Sequence, residues 1–158
     1  MRFFARLLLS DNEKRAKNQG MTVELNHTIV WCRDQRVSAT FLSDVLGLPA
    51  PKRFGPFLEV EVSNDVILAY HETDEEIMSQ HYAFLISEEE FDQIFGRITE
   101  RGLQYWADPA QRHPGEINHD DGGRGVYFPD PDDHFLEIIT RPYGSGVSSY
   151  LSVRSMRQ

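Results

Sequence analysis

The sequence predicts an α+β domain in which two βαβββ modules form a mixed β-sheet with flanking helices. Three observations predict it. The order of elements, a strand, a helix and then further strands, runs once from Val23 and restarts at His81. A histidine, His27 and then His81, stands at the head of the apolar run in each copy. The second copy closes on YFPDPDDHFLEIIT, Tyr127 to Thr140, a strand, a tight turn and a strand carrying one carboxylate, Glu137, among apolar neighbours. Pro129, Asp130, Pro131, Asp132 and Asp133 suit the turn, since Pro presets φ and Asp bonds its own backbone. A carboxylate in such a strand faces water or a cavity, and in a cavity it needs a partner, of which a metal cation is one.

The 158 residues make one domain with ample apolar content for a core. Ten Phe, six Tyr and two Trp argue against disorder over most of its length. A net charge of −9 argues against nucleic-acid and anionic-membrane partners, which require a basic face. The single cysteine, Cys32, excludes an internal disulfide and a Cys-rich zinc site; it reads as a buried, inert thiol in a reducing cytoplasm. No stretch approaches the roughly 20 apolar residues of a membrane span. Residues 1–20 read as an N-terminal extension, either upstream of a true start at Met21 or a short amphipathic helix capping the domain or a partner. The domain is expected over 21–145, with modules 21–76 and 80–145, followed by a Ser-rich tail over 146–158.

In the first module, Val23 to Arg33 reads as a strand containing His27. Val37, Phe41, Leu42, Val45 and Leu46 recur at helical spacing, with Asp34 or Ser38 at the start and Gly47 at the stop. Pro49, Pro51 and Gly55 are expected to keep the next stretch irregular, before strands at Phe57 to Val62 and Val66 to His71. Glu72 to Ser79 is an acidic linker. In the second module, His81 to Ser87 is a strand and Glu88 to Arg101 a helix, with Glu88, Glu89 and Glu90 suiting its N-terminal dipole and Gly102 ending it. Leu103 to Ala107 is a short strand candidate, and Asp108 to Arg124 a long loop. When His27 is set over His81 and Asp65 over Asp133, Ala69 falls over Glu137: the second copy has a carboxylate where the first has a methyl group.

The carrying segments are NHTIV from Asn26, FLSDVLGL from Phe41, HYAFL from His81 and DPDDHFLEI from Asp130. Together they resemble the vicinal oxygen chelate superfamily, the glyoxalase, bleomycin-resistance protein and extradiol dioxygenase family, over about Met21 to Gly144. The resemblance implies a cleft with a divalent metal at its floor, a homodimer, and four ligand positions that fall here on His27, Ala69, His81 and Glu137. Three of these are competent. Glyoxalase I uses a fourth protein ligand, so Ala69 departs from it, and the remaining two-histidine, one-carboxylate set leaves positions open for substrate and oxygen. Fe(II), Mn(II), Zn(II) or Ni(II) suits such donors.

The leading expectation is therefore an extradiol-type dioxygenase acting on a small molecule with adjacent oxygens. The alternatives are an isomerase, lyase or thiol transferase of the same family, or a metal-free drug-binding protein. Each histidine taken alone reads first as an ordinary half-buried polar residue, and Glu137 alone could simply face water; their matching positions in the two repeats shift the reading to a metal site. His119, in the long loop, is a candidate acid or base, and Tyr127 a candidate hydrogen-bond partner for a chelated substrate. Trp31, Phe57 and Trp106 are candidate apolar walls; His71 and His134 read as structural or exposed.

Overall fold

The computed structural model describes residues 23–146, so the expectations for residues 1–20 and for most of the tail lie outside the described residues. The first module runs β1 (His27–Cys32), α1 (Gln35–Leu46), β2 (Lys52–Phe54), β3 (Phe57–Glu61) and β4 (Ile67–Glu72). The second runs β5 (His81–Leu85), α2 (Glu88–Glu100), a 3-10 turn (Asp120–Gly122), β6 (Gly125–Pro129) and β7 (Phe135–Ile139). Two sheets result, ordered β1-β4-β3-β2 and β5-β7-β6. In each, the module's first strand pairs in parallel with its last: His27 lies beside Ile67 and His81 beside Phe135. The same offset puts Ile29 beside Ala69 and Ala83 beside Glu137, so the internal alignment read from the sequence is a register relation in the fold.

Strand alternation divides each sheet into a core face and an open face. Val30 and Cys32 of β1, Val60 of β3, Leu68 and Tyr70 of β4, Val126 and Phe128 of β6 and Leu136 and Ile138 of β7 are buried. They share one core with Leu42 and Val45 of α1 and Phe91, Ile94 and Ile98 of α2. His27, Ile29 and Trp31 take the alternate positions of β1 and are exposed, as are His81 and Leu85 of β5. Burial pushes the Cys32 thiol up to about 12, which keeps it protonated.

Local chemistry sets the helix ends. The Asp34 side chain accepts from the amides of Arg36 and Val37 at the start of α1, and Gly47, with φ of 72°, ends it. At α2, Ser87 and Glu90 form a reciprocal capping box ahead of the acidic first turn. The DPDDH turn also joins the modules. Asp130 accepts from the amides of Asp132 and His134, and Asp132 accepts from the Arg33 amide at 2.8 Å. The buried His134 ring accepts the Gln80 amide at Nδ1 and donates from Nε2 to the Trp31 carbonyl, which makes His134 structural.

Two elements depart from expectation. The stretch after Pro51 is not wholly irregular: Lys52 to Phe54 pairs with β3, turning through Gly55 at φ of 55°. Every residue of β2 is exposed, so no apolar alternation marks it. Conversely, the strand sought at Leu103 to Ala107 contracts to bridges from Trp106 to Tyr127 and Pro114. Asp108 takes the amides of Ala110, Arg112 and His113 onto its carboxylate and turns the chain away. No helix among the described residues is long and apolar enough to cross a membrane.

Candidate metal centre

The parallel pairing of β5 and β7 carries His81 and Glu137 on the open face of the second sheet. The His81 Nδ1 lies 2.9 Å from the Phe135 carbonyl, which can only accept, so Nδ1 carries the proton of that bond. Its Nε2 then faces Glu137 Oε2 at 3.2 Å. Glu137 is 1% exposed. Its other oxygen, Oε1, accepts from the Tyr143 hydroxyl, and the Tyr127 hydroxyl stands 2.7 Å from that of Tyr143. Burial, with Glu137 alongside, raises Tyr143 to about 12 and Tyr127 further still, so both phenols remain neutral hydrogen-bond donors.

A wall of rings surrounds the pair. Tyr127 stacks on His81 with centroids 5.9 Å apart and on Phe135 at 5.5 Å, and Trp106 packs against Phe135 at 5.9 Å. None of these side chains offers a cation to an anionic substrate.

His27 stands apart. It opens β1 in the other sheet, is exposed, and its Nδ1 bonds Asn26 Oδ1 at 2.9 Å. Among the described residues no three His, Cys, Asp or Glu side chains converge as a metal-holding group. One chain thus unites His81 with Glu137 and leaves His27 on a separate face. Ala69 is buried beside Ile29, and Glu59 of β3 lies directly across from it. On the same face the His71 ring is held edge-on between Trp31 and Phe57, at 5.3 and 5.1 Å.

His119 precedes the 3-10 turn, is exposed, and makes no side-chain hydrogen bond among the described residues. Arg124 of the same loop is structural, its guanidinium binding Glu88 and Asp92 at 2.6 Å. Tyr143 was not foreseen. It follows the last strand expected in the domain, where no periodicity marks a residue that returns to the sheet.

The imidazole Nε2 and the carboxylate Oε2, 3.2 Å apart, have the separation of adjacent ligands on a divalent ion with bonds of about 2.1 Å. The donor set fits such an ion, for which His81 and Glu137 would supply two positions.

Comparison with known proteins finds relatives of this fold. Oxidase ChaP-H2 is 61% identical, with a TM-score of 0.78 over 80% of this chain and all of that one. Oxidase ChaP-H1 is 63% identical, with a TM-score of 0.77 over 78% of this chain and 99% of that one. Glutathione transferase FosA of Serratia marcescens is 29% identical over 75% of this chain and 81% of its own length. The fold is shared by FosX of Listeria monocytogenes, solved with Mn(II) and 1S,2S-dihydroxypropylphosphonic acid, at 20% identity and a TM-score of 0.57 over 77% of this chain and 95% of that one. The model of the Glyoxalase/Bleomycin resistance protein/Dioxygenase superfamily matches residues 24–138, and the chain belongs to that superfamily.

Proposed function

We propose that the protein is a divalent-metal-dependent oxidase of the dioxygenase type, acting on a small aromatic molecule that presents adjacent oxygens. The observation that carries this is the buried Glu137 carboxylate 3.2 Å from Nε2 of His81, within a wall of Tyr127, Phe135 and Trp106. His81 and Glu137 hold the metal, and His27 supplies the third donor. Because His27 faces outward from the other sheet, it comes from a second copy, and the protein is a homodimer with shared centres. The exposed Ile29, Trp31 and Leu85 give the open faces the apolar character that such an association buries.

When bound, a divalent ion supplies Lewis acidity and open positions for vicinal oxygens and dioxygen. The chain itself orients His81 through the Phe135 carbonyl and holds Glu137 through Tyr143. Its aromatic side chains exclude water from an aromatic substrate face. The 61% likeness to an oxidase supports oxygen chemistry over the thiol transfer of the more distant FosA. The aromatic wall also offers no guanidinium or ammonium for a phosphonate.

The test is anaerobic loading with Fe(II), addition of a panel of catechols and other aromatics bearing adjacent oxygens, and measurement of oxygen uptake with product absorbance. Oxygen consumption coupled to product is expected. Silence across the panel, with thiol transfer to an epoxide or hemithioacetal isomerisation under Mn(II), Zn(II) or Ni(II), overturns the oxidase reading.

A further inference from the structure

The segment after β7 makes an unusual investment in one side chain. Asp121 spends both carboxylate oxygens on it, accepting the Gly144 amide at Oδ2 (2.9 Å) and the Gly146 amide at Oδ1 (2.8 Å). Asp121 does so from a left-handed conformation, φ of 53°. Gly146 is sterically required there, because a Cβ at that position would lie 2.7 Å from Asp121 Oδ1. Within the segment, Ser145 bonds the Pro142 carbonyl, and Arg141 reaches the Ser145 carbonyl at 3.0 Å. The result is a strap over residues 141–146 that points one hydroxyl at one buried oxygen. Tyr143 remains 52% exposed while its hydroxyl donates to Glu137, which is 1% exposed. A tyrosine contributing packing alone would be buried along its ring; this one is placed for its oxygen.

We propose that Tyr143 is a positioning residue that keeps Glu137 a one-oxygen metal ligand, and that the Asp121-held strap exists to place it. This rests on the reading of His81 and Glu137 as ligands. Of the two Glu137 oxygens, Oε2 faces His81 and Oε1 is taken by Tyr143. A carboxylate with both oxygens free can clamp a cation through both and consume an additional coordination position. With Oε1 held, Glu137 consumes one, and the position saved is available to substrate. Tyr127, 2.7 Å from the Tyr143 hydroxyl and itself alongside Glu137, supports the same arrangement from the sheet.

The experiment counts open positions directly, without turnover. The full chain is loaded with Mn(II), and water-proton relaxivity per bound ion is compared for wild type, Tyr143→Phe, Asp121→Ala and Tyr127→Phe. Six positions less three side-chain donors leave three for water, so a Glu137 that binds through both oxygens lowers relaxivity by about a third. That fall is expected in Tyr143→Phe, which keeps the ring, and in Asp121→Ala, which leaves Tyr143 intact but releases the strap. A smaller fall is expected in Tyr127→Phe. Wild-type relaxivity in both Tyr143→Phe and Asp121→Ala, at full Mn(II) occupancy, overturns the proposal. So does a fall in Tyr127→Phe with none in Tyr143→Phe, which would make Tyr127 the operative donor. A wild-type protein that takes up no Mn(II), Fe(II), Zn(II) or Ni(II) brings down the metal reading and this proposal together.

Discussion

His81 Nε2 and Glu137 Oε2 stand 3.2 Å apart on neighbouring strands, although the residue in register with Glu137 is Ala83. The ring reaches along the strand pair, and its Nδ1–H bond to the Phe135 carbonyl fixes that reach. The 3.2 Å separation is the one two adjacent ligands of a single divalent ion would have. His81→Ala and Glu137→Ala are therefore each expected to lower bound divalent metal at least tenfold, with the fold retained. Elemental analysis after dialysis, read beside far-UV circular dichroism, checks this. Stoichiometric metal in the double variant refutes the assignment.

The position of His27 on a different face makes a second outcome specific. If the centre is shared between copies, His27→Ala and Glu137→Ala chains are each dead alone but complement one another when mixed. A mixed pair carries one complete centre, built from His27 of one chain and His81 with Glu137 of the other. Random re-pairing under two-fold symmetry then restores about a quarter of wild-type sites. Metal content or oxygen uptake after co-refolding measures it. No recovery, with single-variant stabilities intact, places all three ligands within one chain.

The parts of this site that the sequence disclosed are those governed by strand alternation and turn chemistry. The PDPDD turn, the apolar frame of Glu137 and the repeat of a histidine before an apolar run are local patterns, and together they align Ala69 with Glu137 before any fold is known. Tyr143 is not local. Its hydroxyl reaches Glu137 because Asp121, twenty-two residues upstream, holds the strap, and nothing in residues 141–146 announces that contact. β2 escaped notice because an exposed strand carries no apolar period. Ser87 and Glu90 did spell out a capping box, but the run of glutamates drew the reading to the helix dipole and away from the cap. The separation of His27 from His81 was illegible because it depends on how two modules pack, and each module's own pattern is indifferent to that.

The capping box gives a stability prediction with a defined pH sense. Glu90 is held below the ordinary 4.5 by the Ser87 backbone amide at 2.7 Å and then by the Ser87 side chain. A carboxyl lowered in the folded state favours folding while ionised. That contribution is complete above about pH 4.5 and is lost as pH falls through the lowered folded value. Ser87→Ala is expected to cost about 1 kcal/mol at neutral pH. Glu90→Gln should cost less, and its deficit should vanish on acidification, because wild-type Glu90 is then neutral too. Urea titrations at pH 7 and pH 3.5 compare the two. A Glu90→Gln deficit that persists undiminished at low pH contradicts the ionised cap.

Ala69 offers the most discriminating substitution, because its surroundings fix two opposite effects. It is 3% exposed, and Glu59 lies directly across the β3–β4 pair. Directly opposed residues have Cβ atoms about 5 Å apart on one face. Ala69→Glu therefore places a second carboxylate against Glu59 at a buried position with no partner. In the metal-free protein this should cost about 2 kcal/mol or more, lowering Tm by about 4–8 °C. In the shared centre the same position corresponds by register to Glu137. The new carboxylate then becomes a fourth donor, and metal at a hundredfold excess over its Kd returns about 2.7 kcal/mol. Thermal unfolding of Ala69→Glu should thus respond to Mn(II) or Zn(II) more strongly than wild type does, starting from a lower baseline. Oxygen uptake should fall in parallel, because a position needed by substrate or dioxygen is filled. A variant equally destabilised with and without metal would show that Ala69 lies away from the ion, and the correspondence of Ala69 with Glu137 would then be one of fold without chemistry.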